Sequence, residues 1–154
     1  MAEPVFQRPG EGGTVDNPLG GDVVFKARGE QTEGTLTAFE TVVASGDGPP
    51  LHTHANEDES LYVLDGEVRF KLGDEIRAAP AGSFVFIPRG APHTWQNVGD
   101  GRARMLIHFT PSGMERFFDG FAALETPGLA AFETVGAEVG MDVVGPPLAE
   151  SDPL

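Results

Sequence analysis

Apolar and polar residues alternate in short runs along most of this chain, and Gly, Pro, Asn or Asp residues break the runs about every eight to twelve positions. That rhythm predicts β-strands joined by tight turns. Residues 23–27 and 35–43 are rich in strand formers, with turn residues at Arg28-Gly29-Glu30 and Glu33-Gly34 between them. His52 and His54 follow a loop at 46–50. Residues i and i+2 of a strand point to one face, so both imidazoles aim at one place. Glu59 lies five positions after His54, an odd separation that a straight strand would put on the opposite face, so a turn is expected at Asn56-Glu57-Asp58. The next antiparallel strand then carries Glu59, Leu61 and Val63 inward and Tyr62 outward.

Asp65-Gly66 is the dipeptide favoured in two-residue type I′ hairpins, and a hairpin is predicted there. Val68, Phe70 and Leu72 alternate inward against Arg69 and Lys71 as far as Gly73-Asp74, and a short strand at 76–78 turns at Pro80-Ala81-Gly82. Residues 84–87, Phe-Val-Phe-Ile, are apolar on both faces, as expected of a strand buried between two layers. A turn at 88–92 leads to His93 and Trp95 on one face, and residues 102–109 form another strand. With no alternation of strands and helices, the prediction is an all-β antiparallel sandwich or barrel.

The period changes after Pro111. Ser112 and Glu115 have capping-box spacing, and Met114, Phe117, Phe118, Phe121 and Leu124 form a helical stripe, read as core that closes one end of the barrel. A weaker helical pattern in Leu129, Phe132 and Val135 follows Pro127-Gly128. A strand at 141–144 comes next, and a frayed tail starts at Gly145-Pro146-Pro147. The resulting plan is one domain over 1–154: an N-terminal arm (1–21), a barrel (22–110), a helical segment (111–137), then a strand and tail (138–154).

Composition narrows the partners. With 24 acidic against 10 basic residues, the net charge of −14 disfavours nucleic acid and anionic membranes. There is no cysteine, hence no disulfide framework or thiolate chemistry. The first residues lack the basic and apolar regions of a signal peptide, and no run is long enough to span a bilayer, so a soluble cytoplasmic protein is expected.

Gly46, His52, His54, Glu59 and Gly66 match G(X)5HXH(X)4E(X)6G, and Gly82, Pro88, Gly90, His93 and Asn97 match G(X)5PXG(X)2H(X)3N. Through both complete motifs the sequence resembles the cupin superfamily. It also looks like the small single-domain bacterial cupins grouped with quercetin 2,3-dioxygenase, through Phe109-Thr110-Pro111, residues 115–118 and Gly145-Pro146-Pro147. The resemblance implies a cupin-type double-stranded β-helix, a jelly-roll barrel with a short C-terminal helical segment. It also implies a divalent metal held by His52, His54, Glu59 and His93 beside an apolar pocket, and a homodimer.

Three imidazoles and a carboxylate suit Fe, Mn, Ni, Co, Cu or Zn. Four protein ligands in a five- or six-coordinate site leave room for substrate, water or O2, and a closed structural zinc site would more typically use cysteines. Glu59 is the nearest base for a substrate enol or phenol, whose pKa the cation lowers. Three functions follow: a dioxygenase acting on a small aromatic or enol-containing, flavonol-like compound; a non-redox polyketide cyclase or isomerase with the metal as Lewis acid; or a metal-assisted ligand-binding protein without turnover. Plainer roles suit the other candidates. His108 fits no ligand motif and reads as a hydrogen-bonded or surface histidine rather than a proton shuttle. Trp95 reads as packing more than as a substrate stack, and Arg89 and Arg104 as partners of surplus acids. Glu57 and Asp58 read as turn residues, with Glu57 the substitute ligand should the turn be shorter.

Overall fold

A computed structural model describes residues 1–16, 21–125 and 128–154. Eleven strands form two antiparallel sheets among these residues. The first sheet orders β1 (Gly13–Asp16), β2 (Asp22–Ala27), β3 (Thr37–Val43), β10 (Ala103–Thr110), β5 (Asp58–Asp65) and β8 (Phe84–Ile87) from edge to edge. The second orders β11 (Met141–Pro147), β4 (Pro50–His54), β9 (His93–Asn97), β6 (Glu67–Leu72) and β7 (Glu75–Pro80). Three helices follow the main run of strands: α1 (Glu115–Ala122), α2 (Leu129–Glu138) and α3 (Leu148–Ser151). This is the all-β antiparallel architecture expected from the strand rhythm, in the jelly-roll form that the family resemblance implies. No described helix is long and apolar enough to cross a membrane.

The core lies between the sheets and follows the period-2 pattern. Val23 and Phe25 of β2, Leu61 and Val63 of β5, Val68 and Phe70 of β6, and Met105 and Ile107 of β10 are all buried. Full burial of one such side chain stabilises the fold by about 1.5–3 kcal/mol relative to exposure. Tyr62, out of phase with Leu61 and Val63, faces outward as expected.

Several local expectations are corrected. Asp65-Gly66 does not close a hairpin. β5 pairs with β10 and β8 while β6 pairs with β9 and β7, so the chain crosses between sheets at this dipeptide. Gly66 has φ +90°, and a Cβ there would lie 2.8 Å from the Ala103 Cα. The two-residue hairpin is instead at Gly73-Asp74, where Leu72 pairs with Glu75. Likewise β5 follows β4 in sequence but belongs to the other sheet, so the turn before Glu59 is a crossover rather than a hairpin. β8 is an edge strand, not a sandwiched one: Phe84 and Phe86 are 65% and 58% exposed, while Ile87 is buried. The N-terminal arm contains β1, which adds to the edge of the first sheet through β2. Gly145-Pro146-Pro147 lies within β11, and the following α3 is anchored by buried Leu148. Arg69 Nη2 donates to the Asp152 carbonyl at 2.5 Å, and Lys71 Nζ to its carboxylate at 2.8 Å.

The capping box does not form. Met114 precedes α1 without a side-chain cap, and Glu115 accepts the Gly113 and Gly29 N–H groups, each at 2.8 Å, and the Thr37 hydroxyl. Three donors on one carboxylate tie the start of α1 to β3 and to the loop after β2. Leu124 lies beyond the end of α1 and is 39% exposed, whereas Phe117 and Phe121 are buried. In α2, Phe132 and Val135 are buried as expected; Pro127 and the side chain of Leu129 lie outside the described residues.

Candidate metal centre

β4 presents Pro50, His52 and His54 to the interior, with Leu51 and Thr53 on the other face. β9 runs beside β4, and His93 is the cross-strand partner of His52. Glu59 enters from β5 in the facing sheet. The ligand atoms of His52, His54, Glu59 and His93 all lie within 4.8 Å of one another, and all four residues are buried. The structure therefore brings together the four residues singled out in the sequence, in a donor set suited to a metal ion. Glu57 does not replace Glu59 in that set, although it is itself 3% exposed rather than a solvated turn residue.

Hydrogen bonds prepare two of the rings. His52 Nδ1 lies 2.7 Å from the Pro50 carbonyl and His93 Nδ1 lies 2.9 Å from that of Ala91, so each Nδ1–H donates outward and each Nε2 faces the cluster. Burial, aided by the neighbouring His93 and His54, lowers the His52 pKa to about 3 and keeps the ring neutral, the form that binds metal. Burial alone would raise the Glu59 pKa. The opposing attraction of His93, with Nε2 at 2.8 Å, and of His54, with Nε2 at 3.3 Å, holds it below the ordinary carboxylate range. For His93 burial acts downward, but Glu59 outweighs it and the pKa rises. A buried anion thus shares its charge with two imidazoles. Both ring nitrogens of His54 are buried without a hydrogen-bond partner among the described residues. Three imidazoles converging on one ionised carboxylate, with His54 Nε2 meeting it only at 3.3 Å, form a donor set that a cation would complete, so the residues fit a divalent metal ion.

His52, His54 and Glu59 line a cavity with about 490 Å³ of empty space, its mouth included. Phe39 and Thr41 come from β3, Trp95 from β9, Ile107 and Phe109 from β10, and Phe117 and Phe118 from α1; Phe132 and Met141 complete the far wall. No Lys or Arg is among the described residues that line it. Trp95 is both 5% exposed packing and cavity wall. The stripe on α1 closes the barrel end as expected and also forms part of the wall.

Other candidates fall outside the cavity. His108 alternates outward from Ile107 and Phe109, with Nδ1 3.5 Å from the Ser60 hydroxyl, and partial burial lowers its pKa. Arg89 pairs with Asp58 and Arg104 with Glu40, at 3.2 and 3.3 Å. Asn97 is a brace: its amide donates to the carbonyls of Val43 and Gly101 and accepts from the Gly99 N–H. Thr41 was missed in the sequence, although a hydroxyl between inward-facing Phe39 and Val43 was a readable signal of a polar contact in the barrel.

Residues 39–109 match the family described as Cupin domain. Over 123 residues the chain is 26% identical to Polyketide synthase CurC of Streptomyces cyaneus, covering 79% of this chain and 73% of that protein. Over 78 residues it is 36% identical to quercetin 2,3-dioxygenase of Bacillus subtilis, covering 49% of this chain but only 23% of that protein. The fold superposes on an RmlC-like cupin from Shewanella frigidimarina with a TM-score of 0.63 at 18% identity, over 73% of this chain and 96% of that one. Both complete motifs lie within the domain match and the two-sheet barrel is shared with the solved cupin, so residues 39–109 form a cupin domain.

Proposed function

We propose that this protein is a metal-dependent enzyme in which His52, His54, Glu59 and His93 hold one divalent transition metal, and that it acts as a dioxygenase on a small aromatic or enol-containing, flavonol-like compound. The observation that carries this reading is a cluster of four buried donors, three of which, His52, His54 and Glu59, line a cavity walled by aromatic rings and lacking a described Lys or Arg. Such a wall favours a planar, largely apolar ligand body and leaves the metal ion itself as the group that meets an anionic oxygen. The partial identity with quercetin 2,3-dioxygenase agrees with it.

When bound, the ion supplies a Lewis acid that lowers the pKa of a coordinated enol or phenol and, where redox-active, the capacity to react with O2. The chain supplies the rest. Phe39, Phe109 and Phe117 flank the substrate ring and exclude water. Glu59, ionised beside His93, accepts the proton of the enol or phenol at its cavity-facing oxygen. Its contact with His93 disperses the charge that changes during that transfer.

A second, non-redox reading, a cyclase or isomerase of a polyketide-like substrate using zinc or another Lewis acid, is supported by the longer match to a protein named as a polyketide synthase. Ligand binding without turnover is the third. Metal analysis followed by reconstitution with Fe, Mn, Ni, Co, Cu or Zn separates them. Flavonol-dependent O2 uptake by a redox-active form is the expected result. Zinc as the only metal bound, with no O2 uptake in any form, defeats the oxygenase in favour of the cyclase or isomerase. Flavonol binding without turnover in every form favours the third reading.

The same proposal takes residues 1–154 as one cytoplasmic unit that works as a homodimer through the outer face of β5 and β8. Tyr62, Phe84 and Phe86 lie side by side there, all substantially exposed, and β8 has an open edge. A second copy offers the same uncharged patch and the same open edge about a two-fold axis. Between chains that each carry −14, this is a face on which contact brings few like charges together.

A further inference from the structure

Every described residue that lines the cavity is buried except one. Phe118 of α1 is only partly buried, packed against the margin of the core. A cavity opens where its lining meets solvent, so the mouth lies at this ring.

A row of rings with measured contacts joins the mouth to the donor cluster. His54 and Phe109 meet edge to face at 5.0 Å between centroids, Phe109 stacks on Phe39 at 6.1 Å, and Phe39 meets Phe118 edge to face at 4.8 Å. Phe118 is the outer end of that row. Phe25 and Phe117 flank it at 6.2 and 5.1 Å, both edge to face, the arrangement aromatic pairs favour.

The backbone on either side of this ring is tied down. Arg28 Nη1 and Nη2 donate to the two carboxylate oxygens of Asp119, the next residue, at 2.7 and 3.0 Å, and the same guanidinium lies 3.8 Å from the centre of the Phe25 ring. A two-pronged contact of this kind fixes orientation as well as distance. Three positions before Phe118, the Glu115 carboxylate accepts the Gly29 and Gly113 N–H groups. With α1 held to the loop after β2 at both points, the width of the mouth is set by the side chain at 118, whose ring turns about two torsions.

We propose that Phe118 is the specificity-determining residue at the entrance of the cavity: its ring turns aside to pass a flat molecule edge-on and bars bulkier ones. The proposal rests on the reading of this cavity as the ligand site and adds to it a selection at entry, separate from the metal ligands.

The test follows Trp95, the one tryptophan of the chain and a buried part of the cavity wall. Its fluorescence in the full-length protein is quenched with two neutral probes, slender acrylamide and the bulkier ring of succinimide, in the wild type, Phe118→Ala, Phe118→Leu and Phe121→Leu. Phe121 is buried on the same helix but does not line the cavity, so Phe121→Leu measures looser packing alone. Circular dichroism checks folding. Phe118→Ala is expected to raise the quenching rate constant several-fold for succinimide and less for acrylamide, with Phe118→Leu intermediate and Phe121→Leu at the wild-type values. Should Phe118→Ala fail to fold, Phe118→Leu against Phe121→Leu carries the comparison. Constants that stay unchanged in the Phe118 variants, rise equally for both probes, or rise as much in Phe121→Leu overturn the proposal. Uptake of 3-hydroxyflavone by the zinc-loaded wild type tests the substrate class separately. Quenching that follows Phe118 without flavonol uptake defeats that class and leaves the entrance standing; flavonol uptake with no response to Phe118 does the reverse.

Discussion

His52 on β4 and His93 on β9 are direct cross-strand partners, with ring centroids 4.4 Å apart. One strand supplies the HXH pair and its neighbour the third imidazole, so backbone pairing itself sets the spacing of these candidate donors. Only the carboxylate must come from the other sheet.

Removal of His93 therefore takes away one proposed ligand and the principal partner of Glu59. His93→Ala is expected to reduce bound metal to near background in elemental analysis while the strand pattern persists in circular dichroism. The metal-free variant should also lose up to about 3 kcal/mol, because Glu59 stays buried with less compensation. Wild-type metal content in His93→Ala would refute the ligand assignment.

Stability toward acid should depend on Glu115. Burial pushes its pKa up, but the hydrogen bonds from Thr37, Gly29 and Gly113 prevail and the folded-state value falls below the ordinary 4.5. A depressed carboxylate pKa contributes stability in full above the unfolded value, and that contribution is lost as pH drops through the folded one. Glu115→Gln should cost about 1.5–3 kcal/mol at pH 7. The gap from wild type should close progressively below about pH 4.5. Urea titrations across that range check this, and a gap that stays constant with pH would count against it.

The corner at Gly66 tolerates no side chain. Its φ of +90° and the 2.8 Å approach of an added Cβ to the Ala103 Cα predict that Gly66→Ala destabilises the fold by about 1–3 kcal/mol in denaturant unfolding. An unchanged midpoint would mean that the crossover between the sheets is looser than this packing.

Phe84→Lys with Phe86→Lys separates fold from assembly. Both rings are largely exposed, so each replacement should change monomer stability by no more than about 0.5 kcal/mol. Light scattering should show the wild type as a dimer and the double variant as a monomer. A variant that stays dimeric moves the interface to another face.

From the order of its residues alone, the chain determined which strands alternate, where they break, and which four side chains form the candidate centre. Those properties are local: the face of a strand is set by a period of two, and both motifs are read within a few turns of chain. Only the tertiary structure decided which strands pair. Asp65-Gly66 and Gly73-Asp74 are comparable turn sequences, yet one crosses between sheets and the other closes a hairpin, because the choice lies with distant β10 and β9. The same cause put Phe84 and Phe86 outside, since a strand of four residues does not encode whether another will cover it. It also buried Glu57: hydrophilic turn chemistry says nothing of Gly113 and Arg116, which come to lie against that side chain at the start of α1. Local periodicity thus marked the donors, and long-range packing set what surrounds them.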